Sequence, residues 1–337
     1  MATPVVPSSF RAFRVHVDGE EVRRTVEELP FESLPDHDVT VRVAYSSLNY
    51  KDALSASGNR GVTRHYPHTP GIDAAGEVVA SRDARFAPGD RVLVTGFDLG
   101  MDTPGGFAEY VRVPGDWLVP LPEGLSARDA MALGTAGFTA ALALERLAFA
   151  GVTTDLGPLV VTGASGGVGS LAVALAADAG YEVIASSGKG SAAGLLERLG
   201  ASERVGRAAL SDPSERPLLK GLYAGGIDTV GGVALENLVK STRVGGGVAA
   251  CGNAGGAELR LTVYPFILRG VALLGVDSQH ADPETRREVW RSLAGNAALR
   301  RALADPELVQ ETTLEGLEEQ VERILAGGVT GRVVVRP

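Results

Sequence analysis

Leu159-Val-Val-Thr-Gly-Ala-Ser-Gly-Gly-Val-Gly-Ser170 is the stretch whose reading decides the fold. Leu159 to Thr162 read as a short buried strand. Gly163, Gly166 and Gly169 form a turn, and Leu171-Ala-Val-Ala-Leu-Ala-Ala-Asp-Ala-Gly180 continues as a helix that Gly180 stops. A second strand, Tyr181-Glu-Val-Ile-Ala185, follows. Glycines at such a turn let backbone approach a pyrophosphate, which the amides and positive end of the helix hold. The spacing is G-x-x-G-x-x-G rather than the commoner G-x-G-x-x-G, so context carries the reading more than pattern. A glycine turn that binds no nucleotide is the alternative.

Downstream, Gly226-Ile-Asp-Thr-Val-Gly231, Gly246-Gly-Val-Ala-Ala-Cys-Gly252 and Val271-Ala-Leu-Leu-Gly-Val276 repeat the buried-strand texture, with helices such as 234–241 between them. This alternation predicts a parallel, doubly wound sheet. Helices are expected over 283–303 and 314–325, and a final strand over 331–335. Upstream the texture differs. Residues 10–17 and 39–45 alternate apolar and polar, as half-buried strands do, with Pro30, Pro35 and acidic residues marking connections between them. Asp52-Ala-Leu54 looks like a helix start. Pro88-Gly89 is a turn feeding a strand that ends at Val94, and residues 105–113 read as another strand. This is an all-β module of short strands, ending near Pro120-Leu-Pro-Glu-Gly124. Ser126-Ala-Arg-Asp129 then has the form of a capping box, and apolar helical sequence runs on through Leu147.

A chain of 337 residues predicts about two domains. With 45% hydrophobic and 22% charged residues it has an ordinary globular composition. A net charge of −9 argues against a nucleic-acid or anionic-membrane partner. No stretch has the length of a membrane span, and the N-terminus lacks the features of a signal peptide, so the cytosol is the expected compartment. The single cysteine, Cys251, excludes an internal disulfide and any multi-cysteine zinc site.

Pro70-Gly-Ile-Asp-Ala-Ala-Gly-Glu-Val78, Pro88-Gly-Asp-Arg-Val92 and the Gly163 turn together resemble the medium-chain dehydrogenase/reductase superfamily. Gly163-Ala-Ser-Gly-Gly-Val-Gly169 is similar to its quinone-oxidoreductase branch. Ser47-Leu-Asn-Tyr-Lys-Asp-Ala-Leu54, Gly134-Thr-Ala-Gly-Phe-Thr139, Pro265-Phe-Ile-Leu-Arg269 and Gly275-Val-Asp-Ser278 resemble the NADPH-dependent acryloyl-CoA reductases. The resemblance implies an α/β fold, a Rossmann doubly wound parallel sheet plus a GroES-like β domain, with the active site in the cleft between. The GroES-like domain would occupy 1–128, completed by about 301–337, and the Rossmann domain 129–300. It also implies nucleotide contacts from Thr135, Ser165, Gly166, Gly167, Val168, Asn253, Ile267, Ser278 and Arg332. Zinc-dependent members bear ligands where this chain has Asn49, Ile72 and Ala136, which cannot make a zinc site. A zinc-independent member is expected.

The second βα junction bears on the cofactor. An NAD enzyme usually ends this strand with an acid that grips the ribose 2′-OH. Here it ends Ala185-Ser-Ser-Gly-Lys-Gly190, without one. Ser187 and Lys189 can instead bind a 2′-phosphate, with Arg207 closing over it, which points to NADPH. A solvated Lys189 is the alternative.

Without a metal, the reaction must suit direct hydride transfer to a polarised double bond. In a 2-enoyl thioester the β-carbon accepts hydride, charge develops on the thioester oxygen, and an acid protonates the α-carbon. Tyr50 is the candidate acid and Asn49 a candidate donor to the oxygen. Alternatively Tyr50 is a packed aromatic and Asn49 a turn residue. Asp52 reads as a helix cap and Cys251 as small packing. His65, His68 and His280 read as surface or loop residues. Arg60, Arg64 and His65 make a basic loop that is either solvated or in contact with CoA phosphates. The expected activity is NADPH-dependent reduction of a short 2-enoyl-CoA, acryloyl-CoA to propanoyl-CoA, with the substrate implied by the resemblance. A quinone or enone reductase and a non-catalytic NADPH-binding protein are the rivals. The apolar edge strand at 271–276 predicts a homodimer.

Overall fold

The structure, a computed structural model, describes residues 7–337. Its strands, in chain order, are β1 (Ser9–Asp18), β2 (Glu21–Pro30), β3 (Val39–Leu48), β4 (Asp73–Ser81), β5 (Arg91–Thr95), β6 (Tyr110–Val113), β7 (Val119–Pro120), β8 (Leu159–Thr162), β9 (Val183–Ser186), β10 (Glu203–Val205), β11 (Tyr223–Asp228), β12 (Thr242–Ala250), β13 (Ala272–Gly275), β14 (Val309–Thr313) and β15 (Arg332–Arg336). The chain forms two compact units. The first comprises Met1–Thr135, Gln279–Gly295 and Val309–Pro337; the second comprises Ala136–Ser278 and Asn296–Leu308.

The first unit is built on strand pairing. β1 and β2 form an antiparallel hairpin, and a seven-stranded sheet runs β14-β15-β3-β4-β5-β7, with β6 also on β3. Val39, Val41, Val78, Val92 and Val113 fill one core, as alternation along half-buried strands requires. β2 was not visible in the sequence, which reads as a connection there. Its Arg23, Arg24, Glu27 and Glu28 mask the two-residue period, because the hairpin is largely solvated on that strand. Of the strand expected over 105–113, only Tyr110–Val113 forms. Gly105 and Gly106 instead press backbone against backbone: a Cβ on Gly106 would lie 2.2 Å from the Asp73 carbonyl oxygen.

Helix α1 (Tyr50–Ala56) starts two residues before the sequence suggests, with Asn49 as N-cap and Asp52 completing a capping box. Helix α2 (Ala127–Phe149) follows Ser126, whose hydroxyl accepts the Asp129 N–H at 3.0 Å. It is broken at Gly134, where φ is 50° and ψ is −156°.

The second unit is a six-stranded parallel sheet ordered β10-β9-β8-β11-β12-β13. Counted from β8 this is 3-2-1-4-5-6, the dinucleotide-binding order, which reverses between β8 and β11. Val160, Ile184, Leu235, Leu238 and Val248 pack the sheet against its helices. Helix α3 (Gly167–Asp178) leaves the glycine turn. The helix expected over 283–303 is two, Pro283–Gly295 and Ala297–Leu303, because Asn296 Oδ1 accepts the Leu299 N–H at 2.8 Å and caps the second.

Candidate active site and nucleotide cradle

A buried polar network occupies the first unit where β3, β4, β15, α1 and the α2 kink meet. Its centre is Asp73, fully buried at the start of β4. Asp73 Oδ2 accepts from Ser47 Oγ at 2.6 Å, Asn49 Nδ2 at 2.9 Å and the Thr135 N–H at 2.9 Å. Asp73 Oδ1 accepts from Thr135 Oγ1 at 2.6 Å. Asp73 therefore caps, from another strand, the half-helix that restarts after Gly134. Only glycine serves at the break. Its φ is left-handed, and a Cβ would lie 2.6 Å from Asp73 Oδ2 and 2.8 Å from Ser47 Oγ.

Asp52, also fully buried, accepts four N–H groups: Asn49 N at 2.8 Å, Asn49 Nδ2 at 3.1 Å, Gly71 N at 3.1 Å and Ile72 N at 2.8 Å. Burial and the Asp73 charge push its carboxyl up to about 7 against those donors. Arg332 supplies the positive charge. It is 2% exposed. Nε donates to Ala132 O at 2.9 Å, Nη1 to Asn49 Oδ1 at 3.2 Å and Nη2 to Ser47 Oγ at 2.9 Å.

Two of the expected site residues are bonded inside this network. The Arg332 guanidinium donates to Ala132 O, Asn49 Oδ1 and Ser47 Oγ. Asn49 has its amide N–H groups on two carboxylates and its oxygen on Arg332. Tyr50, the first residue of α1, is 40% exposed. Asp73 escaped the sequence reading. The available signal was a lone acid in the apolar run Gly71-Ile-Asp-Ala-Ala75, where an unpartnered carboxylate would be costly. His68 is 4% exposed rather than on the surface, and burial pushes it down to about 4. In the basic loop, Arg64 is paired with Asp102 at 2.6 Å and Arg60 lies over the Tyr66 ring.

The second unit gathers Ser165, Gly166, Gly167, Val168, Ser187, Lys189 and Arg207 around the β8 and β9 ends. Gly163 has φ 59°, and a Cβ there would meet Thr229 Oγ1 at 2.3 Å. A Cβ on Gly169 would lie 2.2 Å from Gly163 O, so strand and helix pack as closely as glycine allows. No side chain caps α3 and its first turn holds no acid, which leaves its N–H groups for an anion. Ser187 Oγ donates to Ser165 Oγ at 2.8 Å and accepts the Lys189 N–H at 3.1 Å, which ties the glycine turn to the second βα junction. Arg207 lies against Gly188: a Cβ on Gly188 would be 3.0 Å from its Nε. This donor set fits a dinucleotide with a 2′-phosphate. Lys189→Ala is expected to raise the KM for NADPH by an amount equivalent to about 1.5–3 kcal/mol while that for NADH barely moves. Initial rates with both cofactors check this, and equal responses would contradict the 2′-phosphate assignment.

At the switch point, Asp228 holds Thr162 Oγ1 at 2.7 Å and the Gly231 N–H at 2.7 Å. Asn253 brings its backbone to the same loop, its Cα 3.2 Å from a Cβ built on Gly231. Cys251 donates its thiol to Asp228 O, and burial pushes that thiol up to about 12, as suits a packing residue. Ile267 is 68% exposed on the helix Tyr264–Arg269, beside exposed Val263 and Leu268, and Ser278 ends the first segment of the unit.

Two family models match the chain: the alcohol dehydrogenase GroES-like domain over residues 35–123 and the zinc-binding dehydrogenase over residues 167–295. The acrylyl-CoA reductase AcuI of Ruegeria pomeroyi is 45% identical over 328 residues, 97% of this chain and 98% of that one. The chain belongs to the medium-chain dehydrogenase/reductase superfamily. Within it, the chain falls in the branch that holds AcuI and the quinone oxidoreductases. The structure of the Salmonella enterica oxidoreductase yhdH in complex with NADP superposes with a TM-score of 0.92 at 46% identity, covering 97% of this chain and 99% of that one. Bacillus subtilis yhfP, solved with NAD bound, gives a TM-score of 0.92 at 43% identity, covering 98% of this chain and all of that one. The zinc in the second family's name finds no fit here. Asn49 and Ile72 belong to the first unit's amide and apolar framework, and among the described residues no group of three or more His, Cys, Asp or Glu could hold a metal.

Proposed function

We propose that this NADPH-dependent oxidoreductase reduces the carbon–carbon double bond of a short 2-enoyl-CoA, acryloyl-CoA to propanoyl-CoA. The observation that carries the substrate is the 45% identity to an acrylyl-CoA reductase along nearly the whole of both chains. Ser187, Lys189 and Arg207, in a junction without an acid, support NADPH as the reductant. When bound, the nicotinamide supplies a hydride to the β-carbon. One proton must then reach the α-carbon, and Tyr50, held at the first turn of α1 by the Asn49–Asp52 capping box, supplies it. Asp73 and Arg332 fix Asn49 and so fix where Tyr50 stands.

The test is turnover of acryloyl-CoA against a panel of enals, enones and quinones, each with NADPH and with NADH. A kcat/KM for acryloyl-CoA at least tenfold above every other acceptor is expected. Preference for a quinone would move the reading to quinone reduction, which the naming of Bacillus subtilis YhfP among quinone oxidoreductases favours. No turnover of any acceptor would leave a nucleotide-binding protein.

The enzyme is expected to act as a homodimer. β13 is the sheet's edge and among the described residues pairs only with β12, while Val263, Ile267 and Leu268 expose apolar surface at the start of and along the helix just before it. Light scattering at micromolar concentration should give twice the 34.8 kDa chain mass; a monomer mass contradicts this.

A further inference from the structure

We propose that the first unit carries a second small-molecule site, a pocket for a short-chain carboxylic acid built on Arg14. A cavity of about 120 Å³ lies between β1, the end of β2 and the loop before β6, lined by Phe10, Arg14, Leu29, Leu34, Thr69 and Tyr110 among others. Its walls are largely apolar. Phe10, Phe31 and Tyr110 hold one another edge to face, with ring centroids 5.3–6.3 Å apart, so the aromatic wall is set before any ligand arrives. An apolar void of roughly 150 Å³ takes up a benzene molecule, so this one has room for a hydrocarbon body of a few carbons.

The head group is specified by Arg14. Nη1 donates to Thr69 Oγ1 at 3.3 Å and Nη2 to Pro67 O at 3.1 Å, both neutral acceptors, and the buried Nε has no partner. Of the five N–H donors of the guanidinium, two have neutral acceptors and the one on Nε has none. Among the described residues no carboxylate stands within ion-pair distance of it. Glu27 acts on it only at longer range, and Glu27 itself is bonded to His16 and Thr25 at 2.6 Å. His68, adjacent to Thr69, is held neutral by burial and adds no competing charge. A part-buried cation without a counter-ion at the wall of an apolar void recognises an anionic head on a short apolar tail.

The test is calorimetric titration of butanoate into the full-length protein saturated with NADP, with 1-butanol as the uncharged probe of equal shape. Saturable butanoate binding is expected, with 1-butanol at least tenfold weaker. Arg14→Met, which keeps the bulk and removes the charge, should weaken butanoate at least tenfold. Leu34→Phe, which fills the cavity and leaves Arg14 in place, should do the same without changing basal turnover. If either variant is insoluble, the other decides. Absence of saturable binding, equal binding of 1-butanol, or binding that survives both substitutions would overturn the proposal; the last would place butanoate at another site.

Discussion

Tyr50→Phe is expected to lower kcat by about 10²–10⁴, the usual worth of a positioned general acid, with little change in KM. The ring is retained, so packing and any shielding of the nicotinamide persist and only the proton is lost. The scaffold under Tyr50 sharpens the comparison. Asn49 caps α1, and its side chain bridges Asp52, Asp73 and Arg332. Asn49→Ala should therefore act twice: it removes a cap worth about 1 kcal/mol, and it releases the residue beside it. Thermal unfolding and steady-state kinetics measured together separate these effects. Tyr50→Phe should leave the unfolding midpoint unchanged and lose turnover; Asn49→Ala should lose both. If Tyr50→Phe keeps full kcat while Tyr50→Ala raises KM, Tyr50 is a wall and the proton comes from water.

Arg332→Met should cost about 3–5 kcal/mol of stability, the range for removing one partner from a buried ionic network. Two carboxylates, Asp52 and Asp73, would remain buried without the cation, and Ala132 O, Asn49 Oδ1 and Ser47 Oγ would lose their donor. Arg332→Lys should recover little. Three nitrogens of one planar fork serve separate acceptors, and a single ammonium cannot reach them together. Urea unfolding followed by far-UV circular dichroism measures the loss; a change below about 1 kcal/mol would show that the network does not hold β15, β3 and the α2 kink together.

Much of this protein was legible in its sequence because the relevant physics is local. The Gly163 turn, the buried strand before it and the helix after it are all set within about twelve residues by periodicity and by glycine's lack of a Cβ. The parallel sheet followed from the spacing of further buried strands, and the missing acid at Ser186–Ser187 from one position. Strand β2 stayed hidden because its charges break the two-residue pattern that only its pairing with β1 explains. What the tertiary structure alone decided is which polar residues share a partner. Ser47, Asn49, Asp73, Gly134, Thr135 and Arg332 come from four separate parts of the chain, and no spacing relates residue 73 to residue 332. They meet because β15 returns to pair with β3, Val334 beside Ser47, which brings the guanidinium from the chain's last strand to carboxylates near its start. A buried charge is tolerated only when such long-range closure supplies its counter-charge and hydrogen bonds. Asn49 and Arg332, 283 residues apart in the chain, are therefore hydrogen-bonded to one another inside the fold.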